Sequence, residues 1–169
     1  YGSAGTGAFT HMAMALFESM ANIQMTHVPY KGSSQAVIGV TTGEVDLVFS
    51  SPAAAIGLVK QGRLRAIAVS GSTRSSLLPD VPTMAEAGIA GYDATSWYGL
   101  LAPAATPRAA ISKLGEESAK ALTTADLRER LLAQAIDPAK GGVEEFTKLL
   151  AAEIPKWEKV IAAAKIPPQ

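Results

Sequence analysis

Hydrophobic positions recur first at helical spacing. Phe9, Met12, Ala13, Leu16, Phe17 and Met20 fall on one face and predict a core-facing helix over 8–20, with Asn22 as its stop. The pattern then changes to short apolar runs separated by helical segments. Residues 23–28 read as a strand, 29–32 as the loop that ends it, and Ser33 or Ser34 as the cap of a helix over 35–42. The unit repeats, with Gly43 ending that helix, a strand over 45–49, and Ser50-Ser51-Pro52 opening a helix to Gln61 that Gly62 closes. Residues 64–70 form one more strand. Strand, loop and helix in succession with short links predict a parallel α/β sheet, with right-handed crossovers placing these strands beside one another.

From Gly71 the texture is that of turns, through Leu78-Pro79-Asp80-Val81-Pro82-Thr83, with a short helix expected over 84–87. Residues 92–102 read as extended, so the adjacent Trp97 and Tyr98 point to opposite faces, one available to a cleft and the other to packing. Beyond Pro103 the spacing is helical. Thr106 caps a helix with Pro107 at its first position and Ile111, Leu114, Ser118 and Leu122 on its inner side. A second helix covers 126–134, and a third covers 143–164 with Phe146, Leu150, Ile154, Trp157 and Ile161 inward and a kink expected at Pro155. The change of pattern near residue 99 divides the chain into 1–98 and 99–169.

Charge narrows the functional classes. Lys plus Arg total 15 and Asp plus Glu total 15; residues 1–98 hold 5 basic and 6 acidic side chains, so the balance holds within each part. No net field draws the chain toward nucleic acid or an anionic membrane. With no cysteine and two histidines, disulfides, thiolate metal sites and a cysteine nucleophile are excluded, and neither metal nor cofactor is expected. No apolar run is long enough to span a bilayer, and the first residues do not form a signal peptide. The chain starts at a turn that ought to follow a strand, so it is expected to be a piece of a longer protein.

The candidate chemistry lies in Tyr1-Gly2-Ser3-Ala4-Gly5-Thr6-Gly7, directly before the first helix. Glycines let the backbone turn and aim N–H groups outward, and a helix N-terminus adds unpaired donors and the positive end of its dipole, which together make an anion seat. A turn with Thr6 as a simple helix cap is the plainer reading. In parallel sheets ligands sit outside the carboxyl ends of strands, which brings in Tyr30, Lys31, Gly32, Ser50 and Ser51. Each has a structural alternative: a packed aromatic, a solvated cation, a turn, a helix cap. His11 reads first as a packed imidazole and second as a ligand contact. Hydrolase, NTPase and zinc-protease motifs are absent, and the site is furnished for hydrogen bonding, so binding is expected rather than catalysis.

Several ordered blocks carry a family resemblance. They are the glycine loop followed by His11, Thr26-His27-Val28-Pro29-Tyr30-Lys31-Gly32, Gly43-Glu44-Val45-Asp46-Leu47-Val48-Phe49, Gly62-Arg63-Leu64-Arg65-Ala66-Ile67-Ala68-Val69, Leu78-Pro79-Asp80-Val81-Pro82-Thr83 and Ser96-Trp97-Tyr98-Gly99-Leu100-Leu101-Ala102-Pro103. The chain resembles the Bug family, the extracytoplasmic receptors of tripartite tricarboxylate transporters. The resemblance implies a type II periplasmic binding protein whose two α/β lobes close over a small carboxylate, a di- or tricarboxylate or acidic amino acid, and pass it to membrane permease subunits. Residues 1–98 then resemble the second, parallel-sheet lobe, and 99–169 the crossover segment and C-terminal helices that return to a largely missing first lobe. It implies Ser3, Ala4, Gly5, Thr6, Gly7, Tyr30, Lys31, Gly32, Ser50, Ser51 and Trp97 as ligand contacts, with His11 and Tyr98 secondary. Ala8 stands where the family has a hydroxyl, and Ser50 where an Asp is frequent, which alters the solute that fits. An enzyme or regulatory sensor reusing the same lobe is the alternative, and the isolated piece is expected to self-associate.

Overall fold

The computed structural model describes residues 1–134, 136–139 and 141–167. Strand pairing is short and parallel. β1 (Gly2–Ser3) pairs with β2 (Val28–Pro29) in the register Gly2↔Val28, and Gly2 also bridges Val48 in parallel. Backbone bonds on both sides of Gly2 hold this centre: Val28 N–H to Tyr1 O at 2.9 Å, Gly2 N–H to Leu47 O at 2.8 Å and Phe49 N–H to Gly2 O at 3.2 Å. The first residues of the chain are thus the middle of three parallel segments.

The expected strands over 23–28 and 45–49 shrink to the ends that meet β1, because their earlier residues find no ladder partner among the described residues. The expected strand over 64–70 is also corrected. Val69 bridges Thr83, accepting from Met84 N–H and donating to Pro82 O, both at 2.9 Å, so it pairs with the turn-rich stretch. Thr83 and Glu86 explain why that stretch is ordered. Thr83 N–H donates to Glu86 Oε2 at 2.8 Å, Glu86 N–H donates to Thr83 Oγ1 at 3.1 Å, and Arg74 Nε reaches the same carboxylate at 2.9 Å. This capping box closes a single turn at 84–88, in place of the expected short helix.

Helices α1 (Phe9–Ala21), α2 (Ser33–Thr42) and α3 (Pro52–Lys60) follow the sequence pattern. Asn22 stops α1 in the left-handed conformation, and Gly43 stops α2 the same way. In α1, Ala13 and Ala15 are buried, and their small side chains allow close approach on two sides. Ala13 meets Tyr92 and Ala94 with Phe17, Phe49 and Met84 around them; Ala15 meets Val160 and Ile166. The Tyr92 hydroxyl donates to Ala13 O at 2.8 Å inside that core. Phe9 meets Trp157 edge to face, with centroids 5.6 Å apart.

The chain forms two compact units, one of residues 1–96 together with Trp157 onward, the other Trp97–Lys156. The second unit holds α4 (Arg108–Thr123), α5 (Ala125–Ala133) and most of α6 (Val143–Ala163). The expected extended segment over 92–102 has no ladder partner among the described residues, and Pro107 stands just before α4 instead of inside it. α6 runs on through Pro155, at the loss of one helical N–H. No residue of α4 or α5 is buried, and Tyr98, Leu100 and Leu101 are 83%, 79% and 78% exposed.

Candidate anion-binding site

β1, β2 and the segment at Val48 run parallel, so their carboxyl ends share one edge, and α1, α2 and α3 each begin just beyond it. None of the three helices has a side-chain cap. Ala8 and Gly32 have no hydrogen-bonding side chain to offer, and the Ser51 hydroxyl makes no bond to α3. Among the described residues, the N–H groups of Thr6, Phe9, Thr10, Ser33 and Ser34 have no acceptor. Free donors at helix N-termini beyond one sheet edge are suited to an anion. Lys31 is an exposed cation on that rim, and Ser50 and Ser51 stand at its Val48 end.

The glycine loop is built differently from the expectation that all its N–H groups converge outward. Ala4 N–H donates to Thr10 Oγ1 at 2.9 Å, Gly5 N–H to Ser3 Oγ at 3.2 Å, and Gly7 N–H to His11 Nδ1 at 3.1 Å. Those three donors hold the loop's shape, and Thr6 is left as its open N–H. Gly5 (φ 134°) and Gly7 (φ 75°) supply conformations that side chains resist. Ser3 is fully buried, with its hydroxyl 2.6 Å from His27 Nε2, so it supports the loop from beneath.

Beneath the loop three rings stack. His11 lies on His27 with centroids 3.8 Å apart and planes 11° from parallel, and Tyr1 lies on the other face of His27 at 5.0 Å. Burial lowers the His11 pKa, against the opposing pull of Glu18. Burial first, and the neighbouring His11 second, lower His27 to about 4. Both imidazoles are therefore neutral near pH 7. Burial and the Glu18 carboxylate raise the Tyr1 phenol well above its usual range. His27 and Thr10 were assigned no role from the sequence. The register Gly2↔Val28 puts His27 on the same face as Tyr1 and Ser3, a signal that exists only once the pairing is known.

Tyr30, expected at the rim as a ligand contact, has its ring packed inward. Its ring fills a slot between Gly2 and Gly39, positions where any Cβ would crowd it, and its hydroxyl is buried beside Glu44. Its backbone still serves the site, since Tyr30 N–H donates to Ser3 O at 3.1 Å. Gly39→Ala should cost about 1–3 kcal/mol by overpacking, although alanine is favoured over glycine in a helix by about 1 kcal/mol. In a Tyr30→Ala background the same change should become neutral or stabilising. Urea denaturation of the four proteins measures that coupling, and a cost unchanged in both backgrounds would refute the slot. Trp97 and Tyr98 belong to the second unit, where Trp97 meets Phe146 edge to face at 5.3 Å.

Residues 1–166 match the family described as tripartite tricarboxylate transporter family receptor. The chain belongs to this family. The chain is 36% identical over 167 residues to the UPF0065 protein in the tcbD-tcbE intergenic region of Pseudomonas sp. (strain P51), a match that covers 98% of this chain and 50% of that relative. It thus spans half the length of that relative. Among solved structures it is similar to R. palustris Rpa4515 with adipate, at 32% identity and a TM-score of 0.82, covering 100% of this chain and 56% of that one. It is also similar to MatC (Rpa3494) from Rhodopseudomonas palustris with bound malate, at 28% identity and a TM-score of 0.75, covering 95% and 56%. The chain's α/β fold with parallel strand pairing is the fold of these two structures. Among its described residues no helix is long and apolar enough to cross a membrane, and no cluster of His, Asp and Glu could hold a metal ion.

Proposed function

We propose that this chain is the anion-capturing part of a periplasmic receptor that binds a small di- or tricarboxylate and delivers it to the membrane permease of a tripartite tricarboxylate transporter. The observation that carries this reading is the rim of three helix N-termini left without side-chain caps. A carboxylate seated there takes the open N–H groups of Thr6, Phe9 and Thr10, with Ser33 and Ser34 on the neighbouring helix. Lys31, Ser50 and Ser51 stand where a second carboxylate or a hydroxyl would be read. Adipate and malate in the two similar structures support a dicarboxylate. Residues 1–98 act as one lobe in this reading, and 99–169 as crossover and helices that complete the other.

An enzyme reading would need a nucleophile, and Ser3 with His27 at 2.6 Å is the pairing that suggests one. Full burial of Ser3 removes it from any substrate, which favours the receptor. Calorimetric titration of adipate, malate and citrate, with adipamide as the uncharged control, tests the proposal. Carboxylates should bind at roughly 0.1–1 mM, weakened by the open cleft, because hydrogen bonds to an anion gain strength when water is excluded. Adipamide should not bind. Equal binding of adipamide, or no binding of any carboxylate, overturns it.

A further inference from the structure

We propose that His11 is a positioning residue for the anion seat, holding the glycine loop through the Gly7 N–H only while its imidazole is neutral, with His27 stacked on it to keep it so. The inference rests on the carboxylate-binding reading above and adds a control to it. Gly7 N–H donates to His11 Nδ1 at 3.1 Å, which requires that Nδ1 carry no proton and fixes the neutral tautomer with its proton on Nε2. A second proton would enter at Nδ1, set two N–H groups against each other and release Gly7. Gly7 lies between the open N–H of Thr6 and those of Phe9 and Thr10, so its release moves the donors that face the ligand.

The partner ring makes that proton costly. His27 lies 3.8 Å from His11, so both imidazoles cannot be charged together, and Ser3 Oγ on His27 Nε2 ties the second ring to the other end of the loop, where Ser3 Oγ also accepts from Gly5 N–H. The charged and titratable groups around the pair are Glu18, on α1 itself, and the phenol of Tyr1, ahead of β1. Glu18 favours protonation of His11, while burial opposes it more strongly. A positive His11 would also attract an anion. The geometric loss outweighs that attraction, because a carboxylate here is held by aligned N–H groups, and their alignment depends on Gly7.

Asparagine can place an acceptor near the position of Nδ1 and cannot be protonated in this range, whereas leucine offers none. In the wild-type chain, the Gly7 amide resonance should move upfield as the pH falls from 7.5 to 4.5, tracking the His11 ring signals. In His11→Asn it should stay fixed, and in His11→Leu it should sit upfield at every pH. Malate affinity of the wild type relative to His11→Asn at the same pH, a ratio that cancels the ligand's own titration, should fall about fivefold over that range. His11→Leu should bind weakly throughout. A Gly7 amide that ignores the His11 titration overturns the inference whatever the ligand does, as does an affinity ratio that is flat or rises on acidification. If Gly7 tracks His11 but no carboxylate binds any variant, it is the receptor reading that fails, and the loop coupling stands.

Discussion

Gly5→Val should weaken carboxylate binding by roughly 10- to 100-fold while removing no charge and no hydrogen-bonding side chain. Gly5 sits at φ 134°, where an L side chain is strained, and its Cβ would stand 3.3 Å from the Tyr30 carbonyl, which is backbone and cannot swing aside. Strain of this kind is on the order of 1–3 kcal/mol, and the loop relieves it by leaving the geometry that keeps Thr6 N–H open toward the rim. Gly88→Val supplies the control. It lies at φ 111° with nothing within 4 Å of its Cβ position, away from the rim, so it should cost comparable stability and leave affinity intact. Calorimetry and thermal melts on both variants separate the effects, and equal affinity losses would show that the Gly5 effect is general destabilisation.

The chain should self-associate at tens of micromolar and above, and Leu100→Ser/Leu101→Ser should return it to a monomer. Tyr98, Leu100 and Leu101 stand exposed in succession, and Leu114 and Ile154 add exposed apolar surface within the same unit. Fully burying one such side chain gains roughly 1.5–3 kcal/mol, so five gain about 7–15 kcal/mol, against an association cost on the order of 4–15 kcal/mol. Tyr98, Leu100 and Leu101 alone would gain about 4.5–9 kcal/mol, the lower part of that cost, and the wider set reaches its upper part. Light scattering across a concentration series reads the result directly. A monomer at several hundred micromolar would show that this surface does not attract its own copy.

The sequence disclosed helices better than strands, for a physical reason. Periodicity fixed α1, α2 and α3 within a residue or two, because Asn22 and Gly43 end their helices through local backbone geometry. Strand extent depends on partners that no local pattern specifies. Val69 therefore went to Thr83, and the apolar run at 45–49 contributed one bridge. The Thr83-x-x-Glu86 spacing was a legible capping box that the surrounding turn residues obscured. At the site, the glycine loop and its helix were readable as an anion seat, yet which N–H groups remain open was not, since Thr10, His11 and Ser3 claim three of them through folded contacts. Tyr30 looked like a rim residue by position, and only the empty space at Gly2 and Gly39 shows where its ring goes.

The bond from the Tyr92 hydroxyl to the Ala13 carbonyl joins residues 79 apart along the chain. During synthesis the side of α1 that Tyr92 and Ala94 cover stays wet until that later stretch has left the ribosome, and the side at Ala15 waits for Val160 and Ile166. Because such distant closures are slow, the glycine loop gains its support well after it has itself been made. A nascent chain halted before residue 92 would carry every glycine of the seat and still lack the wall that holds it, so competence to bind arrives after the loop itself.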